Sequence, residues 1–206
     1  MRILAVGPLW RGSNAGGMFR ALSRQGCLIE VVDEFYHISL QTKRRLTKIA
    51  ERVIRPLQTE EFNNAIKKKI KLFEPDVLFV YKGAFVLPET VGLAKQQGAK
   101  AVLFYPDVSM TAHGPNIPKC IPLYDLIFTT KTFGITDLKT KFGVTNAHFI
   151  QHGFDPDIHR RLEVTDTDLR KFGCDASFIG TWSPKKEAWL AQFLMMVFFN
   201  AEYCRW

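Results

Sequence analysis

The run Glu74-Pro75-Asp76-Val77-Leu78-Phe79-Val80-Tyr81 sets a chain stop directly ahead of an unbroken apolar segment. Pro75 ends the helical spacing before it, and an apolar pentapeptide bounded this way reads as a strand buried on both faces. Such strands belong to parallel sheets covered by helices on either side. The flanking sequence repeats the unit. Upstream, Ile3–Val6 and Cys27–Val32 are short apolar strands, and between them Ala15–Gln25 has helical spacing, with Met18, Ala21 and Leu22 on one face and Gly26 as its stop. A long amphipathic segment, roughly Lys43–Phe73, leads into the central strand, and Pro56 predicts its division into two helices. Downstream follow a helix from Leu87 to Gly98 with Pro88 in its first turn, a strand Ala101–Tyr105, a strand Tyr124–Thr129, a helix Phe133–Phe142 and a strand Ala147–Ile150. This alternation predicts an α/β fold, a doubly wound, Rossmann-like parallel sheet.

With 47% hydrophobic and 13% aromatic residues in 206, the chain has material for a real core and is not a disordered segment. The four cysteines, Cys27, Cys120, Cys174 and Cys204, are scattered, with no C-x-x-C pair and no histidine at ligand spacing. That pattern predicts reduced thiols in a cytoplasmic protein, with no disulfide frame and no metal site. The apolar start, Ile3–Val6, is too short for a signal peptide and ends in a Gly-Pro turn; no apolar run approaches the ~20 residues of a membrane span. Net charge is +8, with clusters at Lys43-Arg44-Arg45 and Lys67-Lys68-Lys69. An anionic ligand, membrane surface or nucleic acid would suit that balance, but solvated helix faces carry the same clusters, and no nucleic-acid partner is inferred.

In parallel sheets ligands bind at the carboxyl ends of strands, so the loops to inspect are Gly7–Asn14, Lys82–Phe85, Pro106–Pro118, Thr130–Thr132 and Gln151–Asp157. The first has G-x-x-x-x-G from Gly7 to Gly12, but Ser13-Asn14 stands where a P-loop needs Lys-Ser/Thr, and Leu9 occupies the second glycine of a dinucleotide fingerprint. What remains is a Gly12-Ser13-Asn14 loop feeding a helix N-terminus, suited to a phosphate or sugar hydroxyls, or simply permitting a tight turn. The loop after the fourth strand gathers Asp107, Ser109, Thr111, His113 and Asn116. Asp107 or His113 there is a candidate general base for a sugar hydroxyl; the alternative has Asp107 capping a turn and His113 solvated. Lys82 and Lys131 also follow strands and read either as facing an anion or, as lone lysines there commonly are, as solvated.

Phe149-Ile150-Gln151-His152-Gly153-Phe154-Asp155-Pro156-Asp157 leaves the last strand through a sharp turn, which reads either as a domain hinge or as an ordinary strand exit. A polar stretch follows, and then Ser177-Phe178-Ile179-Gly180 restarts the pattern as a strand, with Ser183 as N-cap and Pro184 at the first position of a helix. The expected domains are therefore 1–157, a linker over 158–175, and 176–206 as the start of a second domain.

Ile150-Gln151-His152-Gly153-Phe154-Asp155-Pro156 and Ala176-Ser177-Phe178-Ile179-Gly180-Thr181-Trp182-Ser183-Pro184, together with Tyr124–Lys131, resemble the two-domain GT-B glycosyltransferases, and most closely their CgeB-like (spore maturation protein) branch. The resemblance spans nearly the whole chain and is generic in its first half. It implies sugar transfer from a nucleotide-sugar donor to an acceptor, the acceptor held mostly by the first domain, without a bound metal or other cofactor. It further implies that Gly12 and Ser13, with Asn14 beside them, face the cleft, that Asp107 lies at the acceptor edge, that His152 and Asp155 line the cleft or form its turn, and that Gly180, Thr181, Ser183 and Lys186 approach the donor phosphates. The sequence departs from that pattern after one strand and one helix of the second domain. The closing segment Phe193–Trp206 reads as a truncation, a frameshifted end or a helix packing back on the first domain, and the expectation is a chain inactive alone. A rival expectation is a non-catalytic α/β binding or assembly module that self-associates through the Met195–Phe199 patch.

Overall fold

The computed structural model describes residues 1–10, 12–38, 45–174, 177–178, 180 and 182–200. The chain divides into two compact units, Met1–Arg160 and Arg161–Trp206. In the first unit the elements run β1 (Arg2–Gly7), α1 (Asn14–Arg24), β2 (Leu28–Asp33), α2 (Glu34–His37), α3 (Arg45–Phe73), β3 (Val77–Tyr81), α4 (Pro88–Gln96), β4 (Lys100–Tyr105), α5 (Asn116–Cys120), β5 (Leu126–Thr129), α6 (Thr132–Phe142) and β6 (Ala147–Phe149). The six strands form one parallel sheet in the order β2-β1-β3-β4-β5-β6. The chain therefore starts in the sheet, moves outward to β2, and returns past β1 to β3. The carboxyl ends of β1 and β3 form the switch point where open α/β sheets leave a crevice.

Strand alternation splits the core in two. Leu4, Val6, Leu78, Val80, Leu103 and Ile127 pack on one face against Phe62, Ile66 and Ile70 of α3 and Val91 and Ala94 of α4. Ile3, Ala5, Phe79, Tyr81 and Phe104 pack on the other against Ala15 and Phe19 of α1. Phe62, Ile66 and Ile70 follow one another at helical i, i+4 spacing and are fully buried. Each such side chain contributes about 1.5–3 kcal/mol by leaving water. This packing corrects one expectation: α3 is a single helix of 29 residues with Pro56 inside it. Proline forgoes one N–H···O bond and crowds the preceding turn, but it need not stop a helix whose later turns are held by a buried face. Asn63 fixes the start of α4 on that face. Its Nδ2 donates to the carbonyls of Thr59 (2.7 Å) and Phe85 (2.8 Å), while its Oδ1 accepts from Leu87 N (2.9 Å) and Thr90 Oγ1 (2.7 Å).

The second unit holds α7 (Asp166–Phe172) and α8 (Pro184–Asn200). The expected linker thus contains a helix. Thr165 Oγ1 accepts from Asp168 N while the Asp168 carboxylate accepts from Thr165 N, a reciprocal cap that the sequence Thr165-Asp166-Thr167-Asp168 already spells out. The expected strand at Ser177–Gly180 is corrected as well: Ser177 and Phe178 are not in a strand, and Ile179 lies outside the described residues. Strand conformation needs a ladder partner, and this unit has no strand among its described residues. Pro184 does open α8, with Ser183 Oγ accepting from Lys186 N at 3.3 Å.

Candidate functional site

The loop after β1 is built tightly. Gly12 sits at φ +84°, in the left-handed region, and a Cβ on Gly7 would come within 3.0 Å of Tyr81 Cβ. Ser13 is buried; its hydroxyl donates to the Pro8 carbonyl at 2.5 Å and accepts from Ala15 N at 3.2 Å, so it serves the start of α1. Asp33 at the end of β2 holds the same loop, with its Oδ1 accepting from Leu9 N and Phe35 N, both at 2.9 Å. Asn14 instead shares a pocket wall with Tyr81, close to its phenol. Burial pushes that phenol's pKa up, the polar Asn14 side chain draws it down, and the nearby Asp107 charge raises it again.

Asp107 is the centre of a charged cluster. Lys82 Nζ lies 2.8 Å and His113 Nε2 2.7 Å from the same oxygen, Asp107 Oδ2. That oxygen is closed to solvent, and neither contact has the alignment of a hydrogen bond; the Lys82 ammonium attracts the carboxylate Coulombically, and His113 does so only when protonated. The structure therefore joins the two sequence-level candidates Asp107 and His113. Lys82 reaches them from an unusual backbone: it has φ +68°, followed by Gly83 at φ +75°. Tyr105, at the end of β4, donates to the Ser109 carbonyl at 2.6 Å and ties down the loop that carries Asp107. Its phenol is pushed up to about 12 by burial and, to a lesser degree, by the Asp107 charge.

Sequence reasoning passed over Glu34, the first residue of α2. Its carboxyl is pushed up to about 7 by burial, against the opposing pull of the Lys82 charge and with a further push from Asp33. Glu34 Oε2 is closed to solvent with no hydrogen-bond partner among the described residues. An acidic pair at the end of a strand, Asp33-Glu34, was the available signal, but burial is decided by packing from elsewhere.

Beside this cluster lies a pocket of about 270 Å³ between α1 and the segment leaving β6, lined by Asn14, Met18, Tyr81, Phe104, His152 and Asp155 among others. Tyr81 stacks on Phe104 at 5.3 Å, and His152 meets Phe104 edge-on at 6.4 Å. His152 and Asp155 thus share a pocket wall with Asn14. Asp155 has a second role: Arg20 pairs with it, Arg24 pairs with Asp157, and Arg20 Nε lies 3.6 Å from Asp157. Arg20 holds the Asp155 carboxyl below its usual range. Gly17 makes room for the contact, since a Cβ there would come within 2.9 Å of Asp155 Oδ2. The exit from β6 is therefore fastened to α1.

A wider groove of about 800 Å³ runs along α3 near Arg55, Asn63, Leu87 and Asn116. Its size exceeds that of the Asn14–Tyr81 pocket, and its wall carries the charged side chains Glu51, Arg55, Glu60, Lys67 and Glu89 beside Asn63, whose amide is engaged on both ends within the fold. The paired acid and imidazole lie at the carboxyl edge, and the candidate site is placed there. Of the residues expected at the donor phosphates, Thr181 lies outside the described residues; Ser183 caps α8, and Lys186 Nζ stands 6.0 Å from the Phe178 ring centroid. A Cβ on Gly180 would meet the Phe178 ring at 2.8 Å. Among the described residues no group of three His, Cys, Asp or Glu side chains could hold a metal ion, and no helix is long and apolar enough to cross a membrane.

No family model matches this sequence, and no curated protein matches it. Solved structures do. UDP-GlcNAc 2-epimerase from Methanocaldococcus jannaschii superposes with a TM-score of 0.51 at 13% identity, over 73% of this chain and 45% of that one. An alpha-glucosyltransferase in complex with UDP and a 13-mer DNA containing an HMU base gives 0.46 at 14% identity, over 75% and 43%. Phytolacca americana UGT2, complexed with UDP-2fluoro-glucose and pterostilbene, gives 0.43 at 9% identity, over 82% and 56%. The chain spans about half the length of these structures. At such identities the first likeness shows the fold alone, a Rossmann-like parallel sheet of the GT-B type; the other two superpose too loosely to add to it.

Proposed function

We propose that this chain is the acceptor-side part of a GT-B-type glycosyltransferase of the CgeB-like branch, which transfers a sugar from a nucleotide-sugar donor to an acceptor hydroxyl. The observation that carries the reading is the Asp107–His113 contact of 2.7 Å at the carboxyl end of β4, beside the pocket between Asn14, Tyr81 and His152. The proposed step takes the neutral imidazole with its proton on Nε2, toward Asp107, which leaves the basic lone pair on Nδ1. In the proposed step Nδ1 takes the acceptor's hydroxyl proton as its oxygen bonds to the anomeric carbon. The bond from that carbon to the donor phosphate breaks, and the nucleoside diphosphate leaves with the electron pair. Asp107 stabilises the imidazolium that results. Asn14 and His152 would bind the acceptor, and Asp155 would hold the pocket wall; Gly180, Thr181, Ser183 and Lys186 remain the proposed donor-phosphate contacts.

Because the chain spans about half the length of the structures it matches, we expect the 206 residues alone to give no turnover. The test is incubation of the purified chain with UDP-glucose, UDP-GlcNAc and GDP-mannose and a panel of methyl glycosides and phenols. Nucleoside diphosphate release should stay at the blank. Saturation-transfer NMR should show acceptor contacts that are lost in Asn14→Ala. Release above the blank overturns inactivity of the chain, and acceptors that bind nowhere near Asn14 overturn the acceptor-side reading. A second reading, an assembly module, is favoured by the exposure of Trp182 (70%) and Trp189 (61%) in the second unit. Light scattering that shows a monomer at every concentration removes it.

A further inference from the structure

We propose that the pocket between α1 and the segment leaving β6 takes a flat aromatic alcohol, of the phenol or naphthol kind, and so selects the class of acceptor. The proposal rests on the reading of this pocket as the acceptor's place.

Three observations lead to it. The first is the aromatic wall. The register of the parallel strands β3 and β4 sets Tyr81 opposite Phe104, and their rings lie almost parallel, 5.3 Å apart with 17° between the planes. His152 adds a third ring, 6.4 Å from Phe104 and tilted 68° to it. Aromatic rings pair best offset-stacked or edge to face, with centroids about 4.5–7 Å apart, and three rings around one pocket suit a fourth.

The second observation is how little polar side chain the wall has to spare. Its one carboxylate, Asp155, is paired with Arg20 and accepts from Asp157 N at 3.1 Å. That leaves the amides of Asn14 and Gln151 and the imidazole of His152, while Met18, Ala21 and Phe154 are apolar. A sugar carries a hydroxyl on nearly every ring carbon, and each one buried without a partner costs free energy. An apolar body with a single hydroxyl asks for no more than these side chains offer.

The third is size. The pocket holds about 270 Å³, and a cavity of about 150 Å³ already takes benzene, so one ring or two fused rings fit.

The experiment needs no turnover. The nitrogen-15-labelled chain is titrated with 2-naphthol, with decahydro-2-naphthol, which has the same carbon skeleton without the flat rings, and with methyl β-glucoside. 2-Naphthol should shift the amide resonances of Asn14, Met18 and His152. Decahydro-2-naphthol should bind about threefold more weakly or worse, because it cannot stack. The glucoside should leave those resonances unmoved at the same concentration. Ala21 is exposed on α1, so Ala21→Trp fills the pocket from its rim and should weaken 2-naphthol about fivefold or more. Phe154 is 73% exposed, and Phe154→Ser should weaken it about twofold or more, which serves if the tryptophan variant does not fold.

Equal affinity for the two bicyclic alcohols, an affinity for 2-naphthol unchanged in both variants, or shifts confined to residues outside the pocket overturns the aromatic class. A glucoside that shifts Asn14 where 2-naphthol does not overturns the class and leaves the acceptor-side reading standing. Asn14 unmoved by every probe overturns both.

Discussion

Glu34 illustrates how one buried side chain ties stability to pH. Its carboxyl moves from an ordinary 4.5 to about 7 because burial disfavours the anion. The folded chain thus holds this proton more tightly than the unfolded chain. The associated stability is fully present below pH 4.5 and is lost as pH rises through about 7. A shift of this size corresponds to roughly 3 kcal/mol at most. Glu34→Gln should therefore match the wild type in urea at pH 4.5 and exceed it by about 1–3 kcal/mol at pH 8.5. Equal midpoints at both pH values would show that the acid is solvated. At this scale the sequence was partly legible. Asp107 and His113 stand six positions apart in one loop, and a loop at a strand's carboxyl end is a sound place to look. The burial of Glu34 was not legible, since packing decides it and no local pattern does.

At the scale of elements, Asn63 joins α3 to the loop before α4 through bonds to Thr59, Phe85, Leu87 and Thr90. The side chain is 1% exposed, so truncation leaves the Leu87 N–H and the Thr90 hydroxyl buried without partners. Asn63→Ala should cost about 2–4 kcal/mol in chemical denaturation, well beyond a surface substitution; a cost under about 0.5 kcal/mol would mean that water replaces the amide. Elements were the most legible level. Apolar runs such as Val77–Tyr81 and the 62/66/70 spacing of α3 carry their own burial pattern. The Thr165/Asp168 cap is written in four residues, yet the stretch 158–175 was read as a linker and the helix it starts was missed. Pro56 and Ser177–Phe178 went the other way, because a proline is tolerated where the helix's later turns are anchored, and an apolar segment is no strand without a neighbour.

For the first unit taken whole, the fastening of the exit segment to α1 is the feature that local sequence conceals. Arg20 and Arg24 meet Asp155 and Asp157 from more than a hundred residues away. Both arginines are exposed, so solvent screens the pairs from one side even though the Asp155 side chain itself is only 8% exposed, and their contribution to global stability is small. The Arg20→Ala/Arg24→Ala double variant should therefore unfold within about 1 kcal/mol of the wild type, yet show faster amide exchange at residues 151–159. High salt should push the wild type in the same direction. Unchanged exchange in the double variant would show that the backbone turn at Asp155, and not the ion pairs, holds the segment.

The sequence by itself determined the parallel α/β sheet and the edge at which to look for chemistry, because strand burial and helix amphipathicity are properties of neighbouring residues. Only the tertiary structure decided that Lys82 Nζ meets Asp107, that Ser13 serves a helix start, and that the exit from β6 is fastened to α1. Those are long-range outcomes of strand order and crossover. Burial and charge proximity, which set what each of these groups can do, exist only once distant segments share an edge.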